Sequence, residues 1–218
     1  MNITQKTLAA VLDSSTGLVS AASAVEITGN VGATTDYIWR GDTQASGDAS
    51  LSGGLDADFG NGFAIGTWVG SLGASDDDSA NYELDIYASY STEVGGFPLE
   101  IGYISYLYPG VADSDSDFSD IYIGTSIAGI SVTYYMNAGA EDDGYEDAEE
   151  TYLSLDYDYA LSEDISIGLH YGSQSYSDSA YTDEEDTAIS ISKGDMTFTV
   201  SDNEDDDTRA IISWGQSF

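Results

Sequence analysis

The sequence predicts an all-β protein: an antiparallel up-and-down transmembrane β-barrel of about twelve strands, formed as a single domain by residues 25–218. Three observations predict it. From residue 25 onward, apolar and polar side chains alternate with a period of two, the signature of strands with one apolar and one polar face. The connections alternate strictly between short turns and long acidic loops. The last stretch, AIISWGQSF, is itself an alternating strand that puts Trp214 and Phe218 on one face.

Taken in order, the first segment sets Val25, Ile27, Val31, Ala33, Tyr37 and Trp39 against Glu26, Thr28, Asn30, Thr34, Asp36 and Arg40, and reads as one strand. The next set Leu51, Leu55, Ala57 and Phe59 against Ser50, Ser52, Asp56 and Asp58, then gather Phe63, Ile65 and Val69, then set Leu84, Ile86 and Ala88 against Glu83, Asp85 and Ser89. Eight more centre on Ile101, Ile123, Val132, Leu155, Ile167, Ile189, Phe198 and Ile212. β-Branched and aromatic residues fill the apolar positions, as strands prefer. Short connections such as Gly60-Asn61-Gly62, Gly129 and Gly194-Asp195 suit tight hairpins. In a meander, strict alternation sends the six long loops to one end and the five short turns with both termini to the other.

Composition excludes several classes. Four Lys plus Arg against 40 Asp plus Glu give a net charge of −36, which repels nucleic acid. Seventeen Tyr, six Phe and three Trp at regular spacing are too much apolar surface for a disordered acidic chain. Absence of Cys removes disulfides and thiolate chemistry. No apolar run is long enough for a transmembrane helix, which says nothing of strands that span a bilayer with about 9–11 residues. Residues 1–24 have the outline of an export signal, with Lys6, an apolar stretch from Leu8 to Leu12 and a small-residue box at Ala22-Ser23-Ala24, although Asp13 to Thr16 interrupt the apolar part.

Alternation alone does not say which face looks inward. Eight strands are just filled by their inward side chains, and twelve enclose more room, so an apolar-inside barrel would leave a void unless it flattened into a sandwich. The polar face, rich in Gly, Ser, Thr, Tyr and carboxylates, suits a watery lumen. The apolar face would meet lipid, with aromatic girdles at Tyr37 and Trp39 near the long loops and at Phe59, Phe63, Tyr90, Tyr157 and Tyr159 near the short turns. Outer-membrane barrels of Gram-negative bacteria typically end on an aromatic, so Trp214 and Phe218 read as a signal for the barrel-assembly machinery.

The stretches VGATTDYIWRGDTQ (31–44) and SGGLDADFGNGFAIGTWVGSL (52–72), and less specifically YELDIYASYS (82–91) and IGYISYLYPG (101–110), resemble a proteobacterial porin family often called TorF. The likeness spans most of residues 25–170 and fades in the acidic loops. It implies an outer-membrane β-barrel with channel activity and gives no substrate.

With the polar face inward, Glu26, Asp36, Asp56, Asp58, Glu83, Asp85, Glu100, Asp120, Asp156 and Asp158 line the lumen or its mouth, joined by Arg40 and Arg209. Carboxylate rings favour cations over anions, so a cation-preferring channel for small solutes is expected, set in outer-membrane lipid. Arg40 and Arg209 are expected to pair with Asp36 or another lumenal acid. Alternatives left open are a non-conducting structural or adhesion barrel and a secreted soluble acidic β-sandwich. The loop runs 75–79, 113–117, 141–150 and 202–207 offer weak divalent-cation binding at best, since DSDSDF lacks the glycine of a calcium loop. No other cofactor and no enzyme activity is expected. His170, the only histidine, lacks a nucleophile motif and reads as structural.

Overall fold

A computed structural model describes residues 25–73, 80–110, 117–140, 150–179, 181–204 and 207–218. The expected export signal lies outside the described residues, as do 75–79, 113–116, 141–149 and 205–206 of the acidic runs.

Twelve strands close into an antiparallel barrel: β1 (Glu26–Thr34), β4 (Ser50–Asp58), β5 (Phe63–Ser71), β6 (Tyr82–Val94), β7 (Phe97–Leu107), β8 (Phe118–Ile127), β9 (Ile130–Ala140), β10 (Thr151–Ala160), β11 (Ile165–Ser175), β12 (Glu184–Lys193), β13 (Met196–Asn203) and β14 (Arg209–Ser217). Sequence neighbours pair throughout, and β1 pairs with both β4 and β14, so no edge is left open. The long connections fall at one end and the short turns at the other, and the sandwich alternative is not the architecture.

The apolar face looks outward. Ile27, Leu51, Leu55, Ile86, Ile101, Ile123, Ile189 and Ile191 are 40–70% exposed, whereas Glu83, Asp85, Glu100 and Asp120 at alternating positions are only 1–3% exposed. Such a surface is costly in water and favourable in hydrocarbon, where a closed barrel also satisfies every ladder hydrogen bond. Phe63, Tyr90, Tyr157 and Tyr159 are exposed at the short-turn end, where a girdle was expected.

The first segment differs from expectation. Strand β1 stops at Thr34, and the chain turns into a small hairpin of its own, β2 (Ile38–Trp39) and β3 (Asp42–Thr43). Its two turn residues, Arg40 and Gly41, both have positive φ (47° and 87°), the requirement of a type I′ turn. Tyr37 and Trp39 therefore do not form a lipid-facing girdle. Tyr37 packs on Trp68 at 5.3 Å between ring centroids, and Trp39 packs edge-on against Tyr106 and Phe118, both at 5.8 Å.

The interior is correspondingly two-sided. Trp68, Tyr87, Ile104, Tyr106 and Tyr122 form a buried cluster on the β5–β8 wall, with Tyr37, Trp39, Tyr108, Phe118 and Tyr135 against it. Facing them, β12–β14 contribute Ser190, Ser192, Thr197, Thr199, Ser201 and Ser213, all buried. Inward-facing Trp68, Ile104 and Ile211 were not anticipated from the alternation.

Candidate functional site: the lumen and its hairpin

The lumen is built by strand register. On the aromatic wall, Glu83 accepts the hydroxyls of Tyr37 (2.8 Å) and Tyr108 (3.0 Å). Asp56 accepts from Tyr87 at 2.5 Å, and Glu100 from Ser91 (2.8 Å) and Tyr122 (2.9 Å). Each tyrosine thus neutralises part of the cost of burying a carboxylate. The Tyr122 ring lies flat on its wall because the neighbouring strand offers Gly102, where a Cβ would stand 2.3 Å from the ring. Asp85 differs: it is opposite Trp68 on one side and Tyr106 on the other, and its Oδ1 has no hydrogen-bond partner among the described residues.

The hairpin reaches into this lumen through Arg40. Its guanidinium meets Asp120 and Glu150, each at 2.5 Å, and lies over Trp39 (4.2 Å), Tyr152 (4.8 Å) and Tyr135 (5.3 Å). Burial works against the charge on Arg40, but Asp120, with Tyr106 and Glu150, outweighs it and raises the pKa. At the root of the hairpin Asp36 accepts from Thr43 (2.6 Å) and pairs with Arg209 (3.2 Å), while Asn203 donates to Asp42 at 3.0 Å. Both arginines pair with acids of the lumen, as expected: Arg209 with Asp36, and Arg40 with Asp120 on β8 and with Glu150 just before β10.

A second charged knot lies on β10–β12. His170 Nδ1 is 2.7 Å from Asp156 and its Nε2 is 2.8 Å from Asp186, and Tyr152 also donates to Asp186 at 2.9 Å. Nothing in the sequence motif around His170 marks it, but register does: Asp156 is directly opposite His170, and Asp186 opposes Gly172, two residues along the same face. Glu26, Asp58 and Asp158 are exposed, with Glu26 opposite Asp58 at the last rung of the β1–β4 ladder on the short-turn side, away from the charged clusters. Glu150 and Asp186 are the functional candidates that the sequence reading missed.

Between the aromatic and hydroxyl walls remains a cavity of about 250 Å³, lined among others by Trp39, Arg40, Trp68, Asp85, Glu100, His170 and Ser201. The seam beside it is closed at the end of the chain. Phe218 and Gly29 exchange backbone hydrogen bonds, both 2.9 Å, and the Phe218 ring lies directly over Gly29.

Residues 19–208 match the model of a family described as bacterial protein of unknown function, Gcw_chp. A comparison with curated proteins finds no match. Among solved structures, the chain is similar to a KdgM porin (TM-score 0.57, 12% identity, 88% of this chain and 98% of that one). It is also similar to the KdgM porin in complex with disordered oligogalacturonate (0.50, 13%, 89% and 98%). A third match comes from work on in-meso crystallisation of membrane proteins (0.51, 9%, 88% and 83%). At these identities the likeness is one of fold.

Proposed function

The chain belongs to the Gcw_chp family, and from that premise we propose that it is a porin-like channel of the Gram-negative outer membrane that passes small solutes and prefers cations. The observation that carries the reading is the inner wall: Glu83, Asp85, Glu100, Asp120, Asp156 and Asp186 are on the inner face, four of them (Asp85, Glu100, Asp156 and Asp186) lining the cavity, while apolar side chains cover the outside. Among the described residues only Arg40, Arg209 and His170 oppose them on that face, so the field along the axis attracts cations and repels anions. The fold shared with the KdgM porin and the resemblance of residues 31–44 and 52–72 to the TorF family support a channel. The acidic oligogalacturonate that the KdgM porin binds does not fit here, because a polyanion would meet carboxylates. In this reading Trp214 and Phe218 serve recognition by the assembly machinery, and the outward isoleucines contact lipid.

Reconstitution into planar bilayers under a KCl gradient tests the proposal. Conductance steps with a reversal potential on the potassium side are expected; an anion-side reversal potential overturns it. One observation favours a second reading: the Arg40 hairpin narrows the lumen, as a sealed structural barrel would require. Silence from both the native chain and Arg40→Ala would establish that alternative.

A further inference from the structure

Most buried acids of the lumen already have donors. Asp85 keeps one oxygen open: the residue is 3% exposed, it lines the cavity, and Oδ1 has no partner among the described residues. An unsatisfied buried carboxylate oxygen is costly, more so with Glu83 two residues away on the same face of β6. Both oxygens of Glu83 are engaged by tyrosines, and Oδ1 of Asp85 is the open acceptor of the two. The flanks of Asp85 are aromatic, with Trp68 opposite on β5 and Tyr106 opposite on β7, and both rings line the same cavity. A carboxylate flanked by aromatic side chains is the chemistry that recognises organic cations, since aromatic rings attract positive charge while tolerating loss of hydration.

The same lumen already holds one such cation. The Arg40 guanidinium is set over three rings and against two carboxylates. We propose that Asp85, with Trp68 and Tyr106, forms a lumenal binding site for small solutes bearing a guanidinium or primary ammonium group. A bare alkali ion gains little from the rings, because its hydration shell competes with them. A neutral planar molecule gains the stacking without the charge.

This inference rests on the cation-channel reading and deepens it to a solute class. The test is isothermal titration of the folded barrel in detergent micelles, at constant ionic strength, with methylguanidinium and with its uncharged isostere methylurea. Methylguanidinium is expected to bind about tenfold or more tighter than methylurea. Asp85→Asn should abolish that difference, Trp68→Leu should weaken methylguanidinium severalfold while keeping the carboxylate, and Asp164→Asn in an exposed turn should change nothing. Folding of each variant is read from its heat-modifiable gel mobility, and Trp68→Leu serves if Asp85→Asn does not fold. Equal binding of the two probes, or unchanged discrimination in both lumenal variants, overturns the site. The two readings fail separately: cation-selective bilayer currents without methylguanidinium binding sink the site alone, and binding in micelles without any current sinks the channel alone.

Discussion

Arg40 shows what a single side chain does in this barrel. Its guanidinium is the shared counter-charge of Asp120 and Glu150, both buried, and removing one member of a buried charged group leaves the rest uncompensated, at about 3–5 kcal/mol. Arg40→Ala should therefore lower the thermal unfolding temperature in detergent and raise single-channel conductance together. Arg40→Lys should recover part of the stability, because an ammonium keeps the charge and loses the planar fork that serves two carboxylates while stacking on Trp39. Unchanged stability in Arg40→Ala would show that the hairpin is held by its backbone and by Asp36 instead. Asp120 was legible in the sequence because it falls on the polar face of a regular strand. Glu150 was not, since it closes an acidic run in which no residue is distinguished from its neighbours. The His170 cluster was hidden for a different reason: its partners come from β10 and β12, and only the register brings them together.

At the scale of elements, strand number, strand order and the division into long and short connections were all readable, because period-two patterning and turn chemistry are local. The hairpin β2–β3 was not. Alternation continues through Tyr37 and Trp39 with only Thr35 and Ile38 out of pattern, and an aromatic that faces lipid carries the same pattern as one folded back into a lumen. The cues were those two interruptions and the Arg40-Gly41 pair, at which the structure turns with both residues in a left-handed backbone. Shortening the connection so that residues 36–44 are replaced by a brief Gly/Ser linker should leave the twelve-strand ladder intact and widen the path. Larger conductance with unchanged β-sheet circular dichroism is the expected pair of results. The seam gives a second prediction at this scale. Gly29 is the notch into which the Phe218 ring fits, and a Cβ there would stand 2.7 Å from that ring. Gly29→Leu and Phe218→Ala should both slow folding into lipid vesicles, whereas Ile27→Ala beside the notch should have a smaller effect. Equal rates for all three would separate the terminal aromatic from closure.

For the whole molecule, a net charge of −36 poses a question of place: selectivity could come from acids in the long loops or from those on the inner wall. The two respond differently to salt. Exposed charges are screened over about 10 Å at 0.1 M and about 3 Å at 1 M ionic strength, while buried charges are screened much less. Asp85, Glu100, Asp120 and Asp186 are all no more than 5% exposed and lie behind a wall of low polarisability. If they set the preference, the ratio of potassium to chloride permeability should fall only modestly between 0.1 M and 1 M KCl. Loop-derived selectivity should collapse over the same range. Reversal potentials at fixed gradient and rising mean concentration distinguish the two, and Glu100→Gln supplies the cross-check. Its carboxylate accepts from Ser91 and Tyr122, so the amide keeps most of the shape while removing one charge from the lumen. A lumenal origin requires that Glu100→Gln reduce selectivity at 1 M by a larger fraction than at 0.1 M, where the loops add their share. A uniform reduction, or none at high salt, would move the selectivity filter out of the barrel and onto its outer rim.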